Sequence, residues 1–445
     1  MEAVALSGNP EPGMGARLLR ALRHRNYRLY FIGQGVSLIG TWLTQVATSW
    51  LVYRLTGSTV LLGVVAFAGQ IPLFVLSPFM GVLVDRWNRH RILIVTQTIA
   101  MLQSFALAYL ALRKIITVHH IIALNAIQGV VNSLDMPARQ AFLIEIVESR
   151  ADLPNAIALN SSMVNGARLI GPSIAGVLIA AVGEGMCFLI DGFSYIAVVV
   201  ALWAMKVRRT QREEVSAGAL SEMWSGVKYA FGFAPIRSIL LLAAGVSLTA
   251  VSYSILMPVF ATQILHGGPR LLGFLMAMSG VGALAGALFP AARRTVVGLG
   301  RIIVIAGIVF GGALIVFAFS KLLWISMLAM VLMGFSMITF FASSNTVLQT
   351  VVDDRMRGRV MSYFGMAFMG MMPFGSLLSG WLAVRVGPEW TVAICGLSAA
   401  LACGVFAMKL PTLRQLVRPI YVQKGIIIEE VAKAVNVASE LEERA

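Results

Sequence analysis

The sequence predicts an all-α membrane protein of twelve transmembrane helices in two pseudo-symmetric six-helix bundles. Three observations lead there. Of 445 residues, 58% are hydrophobic and only 12% charged, against about 25% charged in a typical soluble protein. The apolar residues fall in blocks of about 20, the length that crosses a ~30 Å hydrocarbon core at 1.5 Å per residue. Features of the first six blocks recur in the second six.

The blocks lie near 27–53, 58–82, 91–112, 118–140, 157–182 and 186–205, then 238–262, 271–292, 301–319, 322–348, 358–384 and 389–409. They are called spans 1 to 12 below. An even number puts both termini on one side. That side holds Arg17, Arg20, Arg23, Arg25, Arg28, Arg86, Arg89, Arg91, Arg139, Arg150, Arg293, Arg294, Arg301, Arg355, Arg357 and Arg359, with the connector and tail. The other side holds Arg54, Arg113, Lys114, Arg270, Lys321 and Arg385. This positive-inside bias predicts a multi-pass inner-membrane protein with both termini cytoplasmic. The net charge of +15 then reports topology, and no nucleic-acid partner is expected.

Residues 1–16 contain no Lys or Arg, are not a signal peptide, and are expected to be disordered. Cys187 stands alone, and Cys395 and Cys403 lie too far apart on one helix to bridge, so no disulfide framework is implied. Residues 206–237 read as a cytoplasmic linker with a short surface helix around Leu220–Tyr229. The domain plan is therefore a first bundle at 17–205, a second at 238–410 and a cytoplasmic tail at 411–445, with an amphipathic helical pattern from Ile426 to Glu442.

The repeat is visible in the glycines. Gly171-Pro172-Ser173-Ile174-Ala175-Gly176 followed by Gly183 returns as Gly375-Ser376-Leu377-Leu378-Ser379-Gly380 followed by Gly387. Gly81 matches Gly286, and Gly35-Val36-Ser37-Leu38 matches Gly245-Val246-Ser247-Leu248. Span 5 thus pairs with span 11, 2 with 8, and 1 with 7. Small residues here let helix backbones approach closely, and Gly171, Pro172, Gly176, Gly375 and Gly380 are expected at packing contacts. A repeat of this kind puts any binding site between the halves near the midplane.

Between spans 2 and 3, Gly81-Val-Leu-Val-Asp85-Arg86-Trp-Asn88-Arg89-His-Arg91 resembles the signature loop G-x-L-x-D-R-x-G-R-R/K of the major facilitator superfamily. Asn88 replaces the usual glycine; a left-handed turn is tolerated by Asn better than by other non-glycine residues. The second-half counterpart has Pro290 where the acid would stand. Pro137-Ala-Arg139-Gln140, Leu153-Pro154-Asn155-Ala156 and Ala167-Arg168-Leu169-Ile170-Gly171-Pro172 resemble a bacterial branch that includes the enterobactin exporter and macrolide-efflux proteins. The likeness spans roughly residues 20–410. It implies secondary active transport of a small molecule, usually outward and proton-driven. It also implies a cytoplasmic gate at Gly81, Asp85, Arg86, Arg89 and Arg91, with Asp85 reaching the start of span 11 near Gly358. A monomer is expected.

Polar residues in membrane helices are costly and face a cavity or a partner helix. On span 4, Asn125, Gln128, Asn132, Asp135 and Arg139 form one stripe. Gln34, Ser37, Thr41, Thr44 and Thr48 do the same on span 1 with Gln45 alongside, as do Ser336, Thr339, Ser343, Thr346 and Thr350 on span 10. The resemblance makes spans 1, 4, 7 and 10 the cavity-lining set, so Gln34, Thr41, Gln45, Asn125, Gln128, Asn132, Arg139, Thr339 and Ser343 are cavity candidates. Hydrogen bonding between helices is the alternative. Arg168 falls near mid-membrane and needs a carboxylate, a cavity or both. Asp135 and Asp191 are its expected partners, roughly 9 and 6 Å away along the membrane normal, and all three are candidates for proton coupling. An acid such as Asp191 near the start of a helix also has a simpler role at the dipole.

No G-x-x-x-x-G-K-[ST] loop, H-E-x-x-H motif or nucleophile elbow occurs. No enzyme activity, cofactor or metal is expected. The competing readings are an exporter of an amphipathic molecule such as a siderophore or hydrophobic drug, an importer or lysolipid transporter on the same scaffold, and a non-transporting membrane sensor.

Overall fold

The computed structural model describes residues 19–147, 149–205, 207, 219–293 and 295–427. The N-terminal segment 1–16 and the amphipathic tail pattern lie outside these residues, apart from 426 and 427. Twelve helical spans are present among the described residues. The first bundle consists of Arg25–Thr56, Thr59–Arg86, Arg89–Leu112, Val118–Ile146, Leu153–Val182 and Glu184–Ala204. In the second, span 7 is Ala234–Thr249 followed by a 3₁₀ stretch, Val251–Leu256, and further turns to Ile264. Then come Pro269–Ala291, Leu299–Phe319, Leu323–Val351, a broken span 11 of Arg357–Met369 and Met372–Val386, and Pro388–Gln423. Ten spans are long and apolar enough to cross a bilayer by composition alone. The two that fall short, 1 and 4, carry the densest polar stripes, so their hydropathy is low because of what they present to their neighbours. Exposed Trp87 and Trp203 at one end and Trp324 and Trp390 at the other form the interfacial belts of a membrane protein.

The packing repeats as the glycines predict. Within the first bundle the principal helix pairs are 2 with 4, 3 with 6, 1 with 6, 1 with 5, and 3 with 4; adding six to each number gives the principal pairs of the second. The bundles meet through 5 against 8 and 2 against 11, and these two contacts exchange under the same operation.

Local capping accounts for several boundaries. Asn88 does not adopt the left-handed turn expected of it. Its φ is −72° and its side chain accepts from Arg91 N at 3.1 Å, capping span 3. Asn is among the best residues for that position, so the replacement of glycine supplies a helix start instead of a turn. Span 6 begins at Glu184, whose carboxylate takes two hydrogen bonds from Arg54 at 2.7 and 3.2 Å. Asp191 therefore sits two turns inside, and Glu184 is the acid at the helix dipole. Spans 4 and 12 continue as helix past Pro137 and past Pro411 and Pro419, beyond the expected ends at 140 and 409.

Each bundle carries one appended element at the end where the termini lie. In the first, the 3₁₀ turn Arg20–Arg23 is tied down by Ala21 N donating to Asn155 Oδ1 at 2.9 Å and by His24 and Arg20 on Asp152. The His24 hydrogen bond and then the Arg20 charge hold the Asp152 carboxyl below its ordinary range. This fastening is complete at neutral pH and fades as pH falls through that lowered value. In the second, the connector helix Ala219–Gly232 lies against span 11 and the loop before it, with Arg359 donating to Ser225 at 3.1 Å and Tyr229 to Asp353 at 3.2 Å.

The break in span 11 leaves backbone groups that hydrocarbon cannot satisfy. Ser247 on span 7 donates to the Phe368 carbonyl beside it. Ser247→Ala is expected to lower stability by about 1–3 kcal/mol, the desolvation penalty of an unpaired buried carbonyl. The measurement is thermal unfolding in detergent, with Ser247→Thr retaining most of the wild-type midpoint.

Candidate functional site

The space between the bundles is shut at one end. Spans 5 and 8 touch from Gly176, where an added Cβ would lie 2.6 Å from the Pro269 carbonyl, down to Gly280, where one would lie 3.1 Å from the Arg168 carbonyl. Spans 2 and 11 touch from Thr59, whose hydroxyl donates to the Gly380 carbonyl at 3.0 Å, down to Phe74 packed edge-on against Phe374. Both contacts run from the far end, opposite the termini, to mid-membrane. Gly176, Pro172 and Gly380 pack across the bundle boundary. Gly171 packs within its own bundle against Trp42 of span 1, and Gly375 is buried in span 11.

Towards the termini the bundles diverge. Ser161, Asn165 and Arg168 share one face of span 5 with Pro172 and Gly176, at spacings of four, three, four and four. Pro172 and Gly176 meet span 8, whereas Ser161 is exposed and Gly166, Gly358 and Gly365 have open space around them. The open part of the face runs about 22 Å from Arg168 to the start of the helix.

Spans 1 and 4 present their polar stripes to the same region. Thr41 and Gln45 are exposed, about 140° and 180° around the helix from exposed Val36, and Thr41 also reaches Tyr195 of span 6. Gln128 and Asn132, joined by a 3.1 Å hydrogen bond, lie about 160° from lipid-facing Val130. Asn125 is higher on the same stripe, half-buried against Gly69 of span 2 and donating to the Ile121 carbonyl at 3.0 Å. Gln34, by contrast, is buried at 3% exposure. The span 10 residues are packing groups: Thr339 donates to the Gly286 carbonyl of span 8 at 3.3 Å, and Ser343 is fully buried. The reason is the close approach of spans 8 and 10, which encloses the stripe.

The charged residues separate into three places, and this corrects the pairing expected for Arg168. Asp135 is ion-paired with Arg139 one turn along the same helix, and accepts from Thr96 at 3.0 Å and Gln97 at 2.7 Å on span 3. Tyr30 and Tyr195 flank this pair. Asp191 is 1% exposed and accepts from Thr44 at 2.7 Å and Ser104 at 2.9 Å, joining spans 1, 3 and 6 with no cation among the described residues. Arg168 faces neither acid; among the described residues its electrostatic neighbour is Tyr253 of span 7, and no carboxylate pairs with it. Two hydrogen-bonding neighbours on one helix satisfy Asp135 better than a long reach from span 5, which is why the short i, i+4 partner wins.

In the signature loop, Gly81 and Asp85 fall outside the described side chains. Arg89 pairs with Glu145 of span 4 at 2.6 Å, inside its own bundle, and Arg86 and Arg91 are exposed. Ser161, Asn165, Tyr253, Thr96 and Gln97 were not singled out as site residues from sequence. The spacing of Ser161, Asn165 and Arg168 was the available signal for the span 5 face; nothing in the sequence marked Tyr253 as a neighbour of Arg168.

Two six-helix bundles with a polar, charge-bearing space between them, closed at one end, define a membrane transporter of the major facilitator type. The chain belongs to the transmembrane secretion effector family, whose model matches residues 17–433. It is 26% identical to the staphyloferrin A transporter of Staphylococcus aureus, over 85% of this chain and 95% of that one. It is also 26% identical to the multidrug efflux pump Tap of Mycolicibacterium fortuitum (85% and 93%) and 23% identical to macrolide efflux protein A of Streptococcus pyogenes (82% and 92%). The fold matches the nucleoside transporter NupG with a TM-score of 0.66 at 16% identity, covering 87% and 99% of the chains. A bacterial homolog of the lysosomal transporter Spinster, solved inward-facing and unoccupied, gives 0.62 at 14% identity, covering 95% and 99%.

Removing Arg139 leaves the buried Asp135 carboxylate without its partner, an expected loss of about 3–5 kcal/mol, and removing Asp135 costs less because Arg139 is partly exposed. A double-mutant cycle with Asp135→Asn and Arg139→Gln should show the double variant more stable than the sum of the single losses requires. Additive losses would mean the two charges do not depend on each other.

Proposed function

We propose that this transporter is a proton-coupled exporter of an amphipathic organic molecule, a siderophore or hydrophobic drug. It works by alternating access as a monomer in a bacterial inner membrane, with both termini cytoplasmic. The 206–237 linker joins two rigid bundles, 17–205 and 238–410, that rock about the midplane. The observation that carries this reading is the polar face of span 5, which ends where spans 5 and 8 close. On the proposed topology the structure is open to the cytoplasm and shut outside, the state that takes up an export substrate. The efflux and siderophore relatives favour outward direction.

Asp135 and Asp191 are the proposed proton sites. Each is held by side chains that can hydrogen-bond the carboxylate or the protonated acid, and each ties helices together within the first bundle. Protonating Asp135 releases Arg139; protonating Asp191 removes an uncompensated charge from between spans 1, 3 and 6. Asp85 is the proposed cytoplasmic gate, closing onto the span 11 start near Gly358 in the opposite state. Arg86, Arg89 and Arg91 line that gate.

The direct test is accumulation of labelled siderophore and macrolide by everted vesicles. Energised uptake that collapses with an uncoupler is expected; uptake indifferent to the uncoupler would remove proton coupling. Accumulation by right-side-out vesicles instead would reverse the direction. Asp85→Asn should insert normally and slow transport by about two- to fivefold, the range that a carboxylate at a helix N-terminus (~0.3–1 kcal/mol) implies. Gly176→Val overpacks the outer contact by about 1–3 kcal/mol and should favour the outward-open state. Labelling of a cysteine at Ser161 from the cytoplasmic side should then fall, read against low background because Cys187, Cys395 and Cys403 are buried.

A further inference from the structure

We infer that Arg168 is the anion-recognition point of the cavity, and that the transported molecule is an amphipathic carboxylate. The inference rests on the exporter reading and narrows its substrate class.

Four observations converge on it. Arg168 lies on the face of span 5 that Ser161 and Asn165 carry through the open part of the inter-bundle space. Its own backbone begins the closed part, because Gly280 of span 8 packs against Arg168 and Leu169. A molecule entering from the open end therefore meets this guanidinium at the limit of its travel. The two buried membrane acids expected to neutralise it are engaged elsewhere: Asp135 by Arg139, Thr96 and Gln97, and Asp191 by Thr44, Ser104 and Ser194. Its neighbour across the gap is Tyr253, whose ring rests against Phe310 of span 9 at 6.2 Å and whose hydroxyl lies by Ser279.

A structural arginine at this depth would carry a resident counter-ion. Arg168 instead is half-buried, with Tyr253 as its electrostatic neighbour and no carboxylate beside it among the described residues. A guanidinium offers two parallel N–H donors in the geometry of a carboxylate, and such pairs are strongest where water is scarce. A carboxylate on the substrate completes the pair that no acid among the described residues makes. Tyr253, whose hydroxyl pairs with Ser279, adds an aromatic wall beside the guanidinium for the amphiphile's apolar part.

The test uses the full-length protein in lipid nanodiscs with 11-(dansylamino)undecanoic acid and its primary amide as probes, and empty nanodiscs as the blank. Fluorescence titration should show the acid bound about tenfold or more tighter than the amide, the scale of a hydrogen bond to a charged group. In Arg168→Gln that preference should vanish with amide affinity within about twofold of wild type, and Arg168→Lys should restore part of it. Wild-type protein that binds acid and amide alike, or neither, overturns the inference without reliance on any variant. A preference that survives in Arg168→Gln also overturns it. The exporter reading fails separately, if everted vesicles accumulate no tested compound of any charge under a proton gradient.

Discussion

Hydrocarbon offers no hydrogen-bond partner, and every polar group this chain places at membrane depth is arranged around that fact. Where the bundles press together, glycines bring backbone against backbone. Elsewhere the polar residues stay partly accessible: Thr41, Gln45 and Ser161 are exposed, and Gln128, Asn132 and Asn165 are half-buried. The same rule operates inside the helices. Span 11 can break because Ser247 answers for Phe368.

The charges obey this constraint unequally in the two halves. The first bundle holds the Asp135–Arg139 pair, Asp191 and Arg168, whereas the equivalent helices of the second hold hydroxyls, methionines and aromatic clusters such as Phe341 with Phe364 and Phe368. The backbone symmetry is therefore close to complete in its helix pairs while the chemistry is not. One bundle is suited to respond to charge and the other to pack around apolar matter, a division that fits an amphipathic cargo.

Much of the fold was legible from sequence because both of its determinants are patterns along the chain. Span length and the bias of arginines set the number of crossings, and the offset from Gly171 to Gly375 gave the repeat. The site was less legible, because it depends on which helix face meets which neighbour. The stripe on span 4 was readable as a stripe, yet periodicity alone could not tell that Asp135 would take Arg139 from its own helix. The hydroxyl stripe of span 10 has the same spacing and is walled in, since spans 8 and 10 approach too closely to leave room beside Thr339. Asn88 shows the limit at the scale of one residue: a departure from a glycine motif read as a tolerated turn was a helix cap.

The two appended elements at the termini end have a practical consequence. The turn at Arg20–Arg23 is fastened to the first bundle through Asp152 and Asn155, and the helix Ala219–Gly232 is fastened to the second through Arg359 and Asp353. Each is a handle fastened to a different bundle. Donor and acceptor dyes on the two would act as a caliper, reading the angle between the bundles from one molecule at a time.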